Sequence, residues 1–166
     1  MNKKVFQILV DNTSGILSRI SGLFARRSYN IESITAGVTA DPRYTRITIV
    51  ASGDDDILDQ IEKQVAKLVD VHNIKELTPD NSVYRELALV KVKVSPKERD
   101  DFVKSIVDLY KAKIIDVSYD SLVIELTGNQ AKIDSFIDIL RDYEILEVAR
   151  TGIAGLARGS EEVIYL

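Results

Sequence analysis

The sequence predicts an α+β protein built from two copies of one strand–helix–strand–strand–helix–strand unit. In each half of the chain, apolar residues pass between alternation and helical spacing in the same order. A polar, proline-containing stretch, Thr78-Pro79-Asp80-Asn81-Ser82, separates the halves. Each half is about 75 residues, enough for one small domain. This order is the ferredoxin-like split βαβ, an antiparallel sheet with two helices on one face.

In the first unit, Val5-Phe6-Gln7-Ile8-Leu9-Val10 is a mostly apolar strand. It stops at the turn-forming residues Asp11-Asn12-Thr13-Ser14-Gly15. Ile16, Leu17, Ile20, Leu23 and Phe24 then share one helix face, with Arg19, Arg26 and Arg27 outside it. Tyr29 to Val38 is strand-like. Asn30 suits the helix-to-strand turn because it tolerates the left-handed conformation. Ala40-Asp41-Pro42-Arg43 turns the chain into Thr45 to Val50, which alternates. Gly53-Asp54-Asp55-Asp56 opens a helix with Ile57, Leu58, Ile61, Val65 and Leu68 on its apolar side, and Val69 to Leu77 closes the unit.

The second unit repeats the order. Leu87 to Val94 is a strand with Ala88, Val90, Val92 and Val94 on one face. Ser95-Pro96-Lys97-Glu98 reads as a helix start, with a capping Ser, Pro at the first helical position and Glu placed for a capping box. Phe102, Val103, Ile106, Val107 and Tyr110 form that helix's buried stripe. Ile114 to Val117 and Leu122 to Leu126 flank a Tyr119-Asp120 turn. Asn129 caps a helix carrying Ile133, Phe136, Ile137 and Leu140, and Ile145 to Ala149 is the last strand. Gly152, Gly155 and Gly159 then loosen the chain. The domains expected are 1–77, a linker at 78–83, a second domain at 84–159 and a tail at 160–166. Each sheet would have one bare face, which predicts assembly with a second unit, a partner or a ligand.

Composition excludes several kinds of chemistry. The 166 residues hold no Cys and one His, His72. Thiolate nucleophiles, Cys-ligated metals and multi-histidine sites are therefore excluded. Twenty-two Lys and Arg against 26 Asp and Glu give a net charge of −4, which disfavours nucleic acid as a partner. No apolar run is long enough for a membrane span. Gln7 and Asp11 interrupt the apolar start too early for a signal peptide, so a cytoplasmic address is expected.

Asp11-Asn12-Thr13-Ser14-Gly15-Ile16-Leu17 is the sharpest local feature. A helix N-terminus suits a carboxylate, Gly15 admits close approach to the backbone, and Asn12 both donates and accepts. On spacing alone an ordinary cap, with Ser14 or Asn12 as the capping residue, is the simpler reading. The second unit has no glycine in the equivalent connection. Asp54-Asp55-Asp56 reads as a dipole-stabilised helix start rather than a cation site. His72 reads as a surface or hydrogen-bonded histidine. Gly152 to Gly159 lacks the Gly-Lys-Ser/Thr ending of a phosphate loop and reads as a flexible tail.

Asp11 to Arg19, Gly22-Leu23-Phe24, Arg27, Tyr29-Asn30-Ile31-Glu32-Ser33, Gln60 to Gln64 and Lys67 to Val71 closely resemble the small regulatory subunit family of acetohydroxyacid synthase (acetolactate synthase). Glu86 to Lys91, Ile114 to Val117, Glu147 to Gly152 and Arg158-Gly159 resemble that family's C-terminal domain. The resemblance implies that the first unit is an ACT domain and that the chain does no chemistry itself. It implies a large catalytic subunit as partner, carrying thiamine diphosphate, FAD and magnesium, which condenses two pyruvates, or pyruvate with 2-oxobutyrate, toward valine, leucine and isoleucine. No cofactor is implied in this chain. It also implies a homodimer through the ACT domains, with inhibitory valine bound between them. The family's ligand loop falls on Asn12, Gly15, Ile16 and Leu17, and the opposing strand on Asn30 and Ile31. The other reading of the residues is a stand-alone ACT-type amino-acid sensor acting on another enzyme or a transcription factor.

Overall fold

The structure, a computed structural model, describes residues 2–160. All of the expected tail except Ser160 lies outside them. The chain forms two compact units, one comprising residues up to Tyr84 and from Gly152 onward, the other Arg85–Thr151.

In the first unit the elements are β1 (Asn2–Asp11), α1 (Ile16–Arg26), β2 (Asn30–Val38), β3 (Tyr44–Gly53), α2 (Asp55–Val65) and β4 (Val71–Leu77). The sheet is antiparallel with order β2-β3-β1-β4, so β2 and β4 are its edges. Phe6, Ile8 and Val10 of β1 alternate toward the helices. They pack with Ile47, Ile49 and Ala51 of β3, with Ile16, Ile20, Leu23 and Phe24 of α1, and with Leu58, Ile61 and Val65 of α2. Helical spacing puts the α1 and α2 residues on single stripes.

The opposite sheet face is not bare. Gly152 to Gly159, expected as a loose tail, contains a strand, β9 (Ala154–Ala157). Ile153 is fully buried against Val5, Val50 and Leu77. Its burial contributes about 1.5–3 kcal/mol. Gln7 Nε2 donates to the Gly155 carbonyl at 3.2 Å. A Cβ on Gly152 would lie 2.5 Å from Thr35 Oγ1 and 3.2 Å from the Ile34 carbonyl oxygen. Glycine is there for close approach, not for freedom.

The second unit contains most of β5 (Ser82–Lys93), then α3 (Arg99–Phe102), a π-helical turn (Val103–Val107) and α4 (Asp108–Tyr110). β6 (Lys113–Val117), β7 (Ser121–Gly128), α5 (Gln130–Ile139) and β8 (Ile145–Arg150) follow. The order β6-β7-β5-β8 repeats that of the first sheet. Ala88, Val90, Val92, Phe102, Ile106, Leu122, Ile124, Ile133 and Phe136 lie in its core. Asn129 Oδ1 accepts from the Lys132 N–H at 2.9 Å, as a cap should. Ser95-Pro96-Lys97-Glu98 differs from expectation. The Ser95 and Glu98 side chains bond at 2.6 Å, but they close a turn one step before the helix, which begins at Arg99. Both units are thus ferredoxin-like, as the periodicity predicts.

Candidate functional site

The connection from β1 to α1 is built by backbone and amide hydrogen bonds. The Asn12 N–H donates to the Arg43 carbonyl at 2.7 Å, and the Thr13 N–H to the Asp11 carbonyl at 2.9 Å. Asn12 Nδ2 donates to the Pro42 carbonyl at 2.9 Å, while its Oδ1 accepts from Thr45 Oγ1 at 3.0 Å. Both ends of the amide therefore tie this turn to the β2–β3 hairpin. Asn12 is not a helix cap, and neither is Ser14. The N-cap position is Gly15, at φ +84°, with no side-chain acceptor on the first turn.

A left-handed N-cap explains the glycine, because a Cβ in that conformation crowds the following carbonyl. Nothing lies within 4 Å of where that Cβ would stand. The first turn of α1 has no acidic residue, whereas α2 starts with Asp55 and Asp56. The amide end of α1 is thus open, positive and neutralised by no side chain of its own first turn. Ile16 is buried in the core, so it presents only its backbone, and Leu17 is 45% exposed.

Further side chains brace the same end of the sheet. His72 Nε2 lies 2.6 Å from Asp11 Oδ1, and its ring meets Tyr44 edge to face. Arg19 forms an ion pair with Asp70. These supports, with Pro42 and Thr45, are invisible in local sequence because their partners lie far along the chain, 30 positions away for Asn12–Pro42 and 33 for Asn12–Thr45. At the hairpin, the Arg43 guanidinium holds the Asp41 carboxyl below its usual range.

Asn30 and Ile31 are elsewhere. The left-handed residue after α1 is Ser28, φ +56°, not Asn30. Asn30 instead begins β2 and donates from Nδ2 to Ser52 Oγ at 2.9 Å. Ile31 is half-buried against the core. Asn30 sits opposite Ser52 on β3, while Asp11 sits opposite Tyr44. The span of β3 between those positions is roughly 27 Å at strand rise. Within one chain, the structure gathers Asn12, Gly15, Ile16 and Leu17 but puts Asn30 and Ile31 at the other end of the sheet.

A cavity of about 540 Å³ lies between α2 and β4, lined by residues including Glu62, Lys63, Val71 and His72. None of the six expected contact residues lines it. Among the described residues, no group of three or more His, Asp or Glu could hold a metal ion, and no helix is long and apolar enough to cross a membrane.

Two family models match the chain. One, described as the AHAS small subunit-like ACT domain, covers residues 6–73; the other, the small subunit of acetolactate synthase, covers residues 85–159. The acetolactate synthase isozyme 3 small subunit of Escherichia coli (strain K12) is 44% identical over 160 residues, covering 96% of this chain and 98% of that protein. A probable acetolactate synthase small subunit of Archaeoglobus fulgidus is 42% identical, covering 96% and 99%. The crystal structure of the acetolactate synthase small subunit from Thermotoga maritima superposes with a TM-score of 0.85 at 38% identity, covering 96% and 99% of the two chains.

Proposed function

The chain belongs to the family of acetolactate synthase small subunits, and on that premise we propose that it activates a separate catalytic large subunit and makes it sensitive to valine. The thiamine diphosphate, FAD and magnesium belong to that partner, and this chain supplies regulation without turnover. The valine site is formed by Asn12, Gly15, Ile16 and Leu17 of one copy with Asn30 and Ile31 of another.

The separation of those two groups along the sheet carries this reading. β2 is an edge strand, open on one side. When two copies pair antiparallel along β2, Asn30 of one copy lies beside Val38 of the other. Val38 stands opposite Thr45, at the Asn12 end of the sheet. A two-fold edge pairing therefore brings together what a single chain keeps apart. The ligand's carboxylate meets the open amide end of α1, and its apolar side chain meets Ile31 and Leu17. The cavity between α2 and β4 plays no part, because half of this site comes from the second copy.

The test is reconstitution. Purified large subunit is assayed for acetolactate with and without this chain, each with and without valine. The expected result is higher activity with the chain, and inhibition by valine only in its presence. Activity unchanged by the chain would overturn the proposal.

A further inference from the structure

The edge strands of the two units occupy the same place but differ in chemistry. β2 and β6 each end their sheet, and each is bulged near its start, between Ile31 and Ser33 and between Ile114 and Asp116. In β2 the bulged residue is Glu32, ion-paired to Lys3 at 2.6 Å. In β6 it is Ile115, 51% exposed; Val117, at 57%, ends the strand, and Tyr119, at 84%, follows in the turn. An apolar row on an exposed edge strand invites pairing with a further strand.

Lys113 and Asp116 flank Ile115, both exposed. Neither forms an ion pair within the described residues. We propose that β6 is a second self-association surface, along which two copies of this chain pair antiparallel about a two-fold axis near Ile115. Antiparallel pairing sets Lys113 of each copy alongside Asp116 of the other, so the symmetry makes two ion pairs from one residue pair. A strand with a cation and an anion on either side of an apolar centre is complementary to itself. That self-complementarity favours a second copy over an unrelated strand. This surface is separate from β2 and does not depend on valine or on the catalytic subunit.

The absence of cysteine makes the test direct. Full-length Ile115→Cys is treated with a short bis-maleimide at micromolar concentration, beside Val69→Cys, whose position is 90% exposed in the other unit. The expected result is that the Ile115→Cys protein crosslinks to a two-chain species several-fold more than the Val69→Cys protein. Lys113→Asp or Asp116→Lys added to Ile115→Cys should each lower that yield several-fold, and the two together should restore it. Should Ile115→Cys fail to fold by circular dichroism, Val117→Cys serves in its place. Equal crosslinking of the two single variants, or no recovery in the charge-swapped protein, would overturn the proposal.

Discussion

Gly15→Asp should separate valine sensitivity from activation. At φ +84° any side chain costs about 1–2 kcal/mol in backbone strain, at the lower end for Asp. The open space at that position means no clash adds to it. Against a typical stability of about 5–15 kcal/mol the fold survives. The ligand meets a larger penalty. Two carboxylates about 4 Å apart repel by about 4 kcal/mol at the effective dielectric of a protein surface. Losing one hydrogen bond to a charged group costs about 1.5–3 kcal/mol. Even with partial screening, the sum exceeds about 2.8 kcal/mol, or about 100-fold in affinity. Gly15→Ala carries the strain without the charge and should weaken valine less. The assay is a valine titration of acetolactate formation by the reconstituted pair, with circular dichroism as the check on folding. Full valine sensitivity in folded Gly15→Asp would refute the reasoning. Loss of activation in a folded variant would refute the separation of the two roles.

Three other outcomes are expected. The chain purified free of large subunit should form no acetolactate, since it offers no electron sink of its own; measurable turnover would sink the regulatory reading. Glu86 is buried, and Arg150 reaches it through Nε at 2.9 Å and Nη2 at 2.5 Å while also pairing with Asp134. Arg150→Met leaves that carboxylate buried and unpaired, so stability should fall by about 3–5 kcal/mol in chemical denaturation, and adding Glu86→Gln should recover part of it. A loss below about 1 kcal/mol would contradict the clamp. Bonding to Lys3 lowers the folded-state Glu32 pKa, and bonding to Lys4 lowers that of Asp59. Carboxylates of this kind stabilise the fold above their unfolded pKa and lose that contribution as pH falls through the folded one. The melting temperature should therefore decline below about pH 4, and by less in Lys4→Met. Equal decline in both would argue against the Lys4 pair.

The fold was legible because apolar spacing is local. Phe6, Ile8 and Val10 announce their strand, and Ile16, Ile20, Leu23 and Phe24 their helix, without knowledge of distant partners. The covering of the first sheet was not legible. Ile153 finds Val5 across almost the whole chain, and the glycines around it read as looseness when Gly152 is small to fit over Thr35. Local signals also misplaced special backbone positions. Ser28, not Asn30, takes the left-handed turn, because the register of β2 puts Asn30 inside the strand opposite Ser52. Of the candidate site, the Asn12–Gly15 turn stood out by its residue types. That Asn12 spends its amide on Pro42 and Thr45, and that Asn30 lies at the far end of the sheet, are facts of topology that no spacing reveals.

Subunit mixing tests most directly whether one valine site is shared by two copies. In the proposed site, Gly15→Asp would remove the loop half and Asn30→Ala the strand half. In a mixed dimer one site carries both defects and the other carries neither. Calorimetry should therefore find no valine binding to either variant alone, and binding regained after they are unfolded, mixed and refolded together, at one site per mixed dimer. Refolded mixtures that bind no valine would show that each chain builds its site by itself, contradicting a site shared between copies.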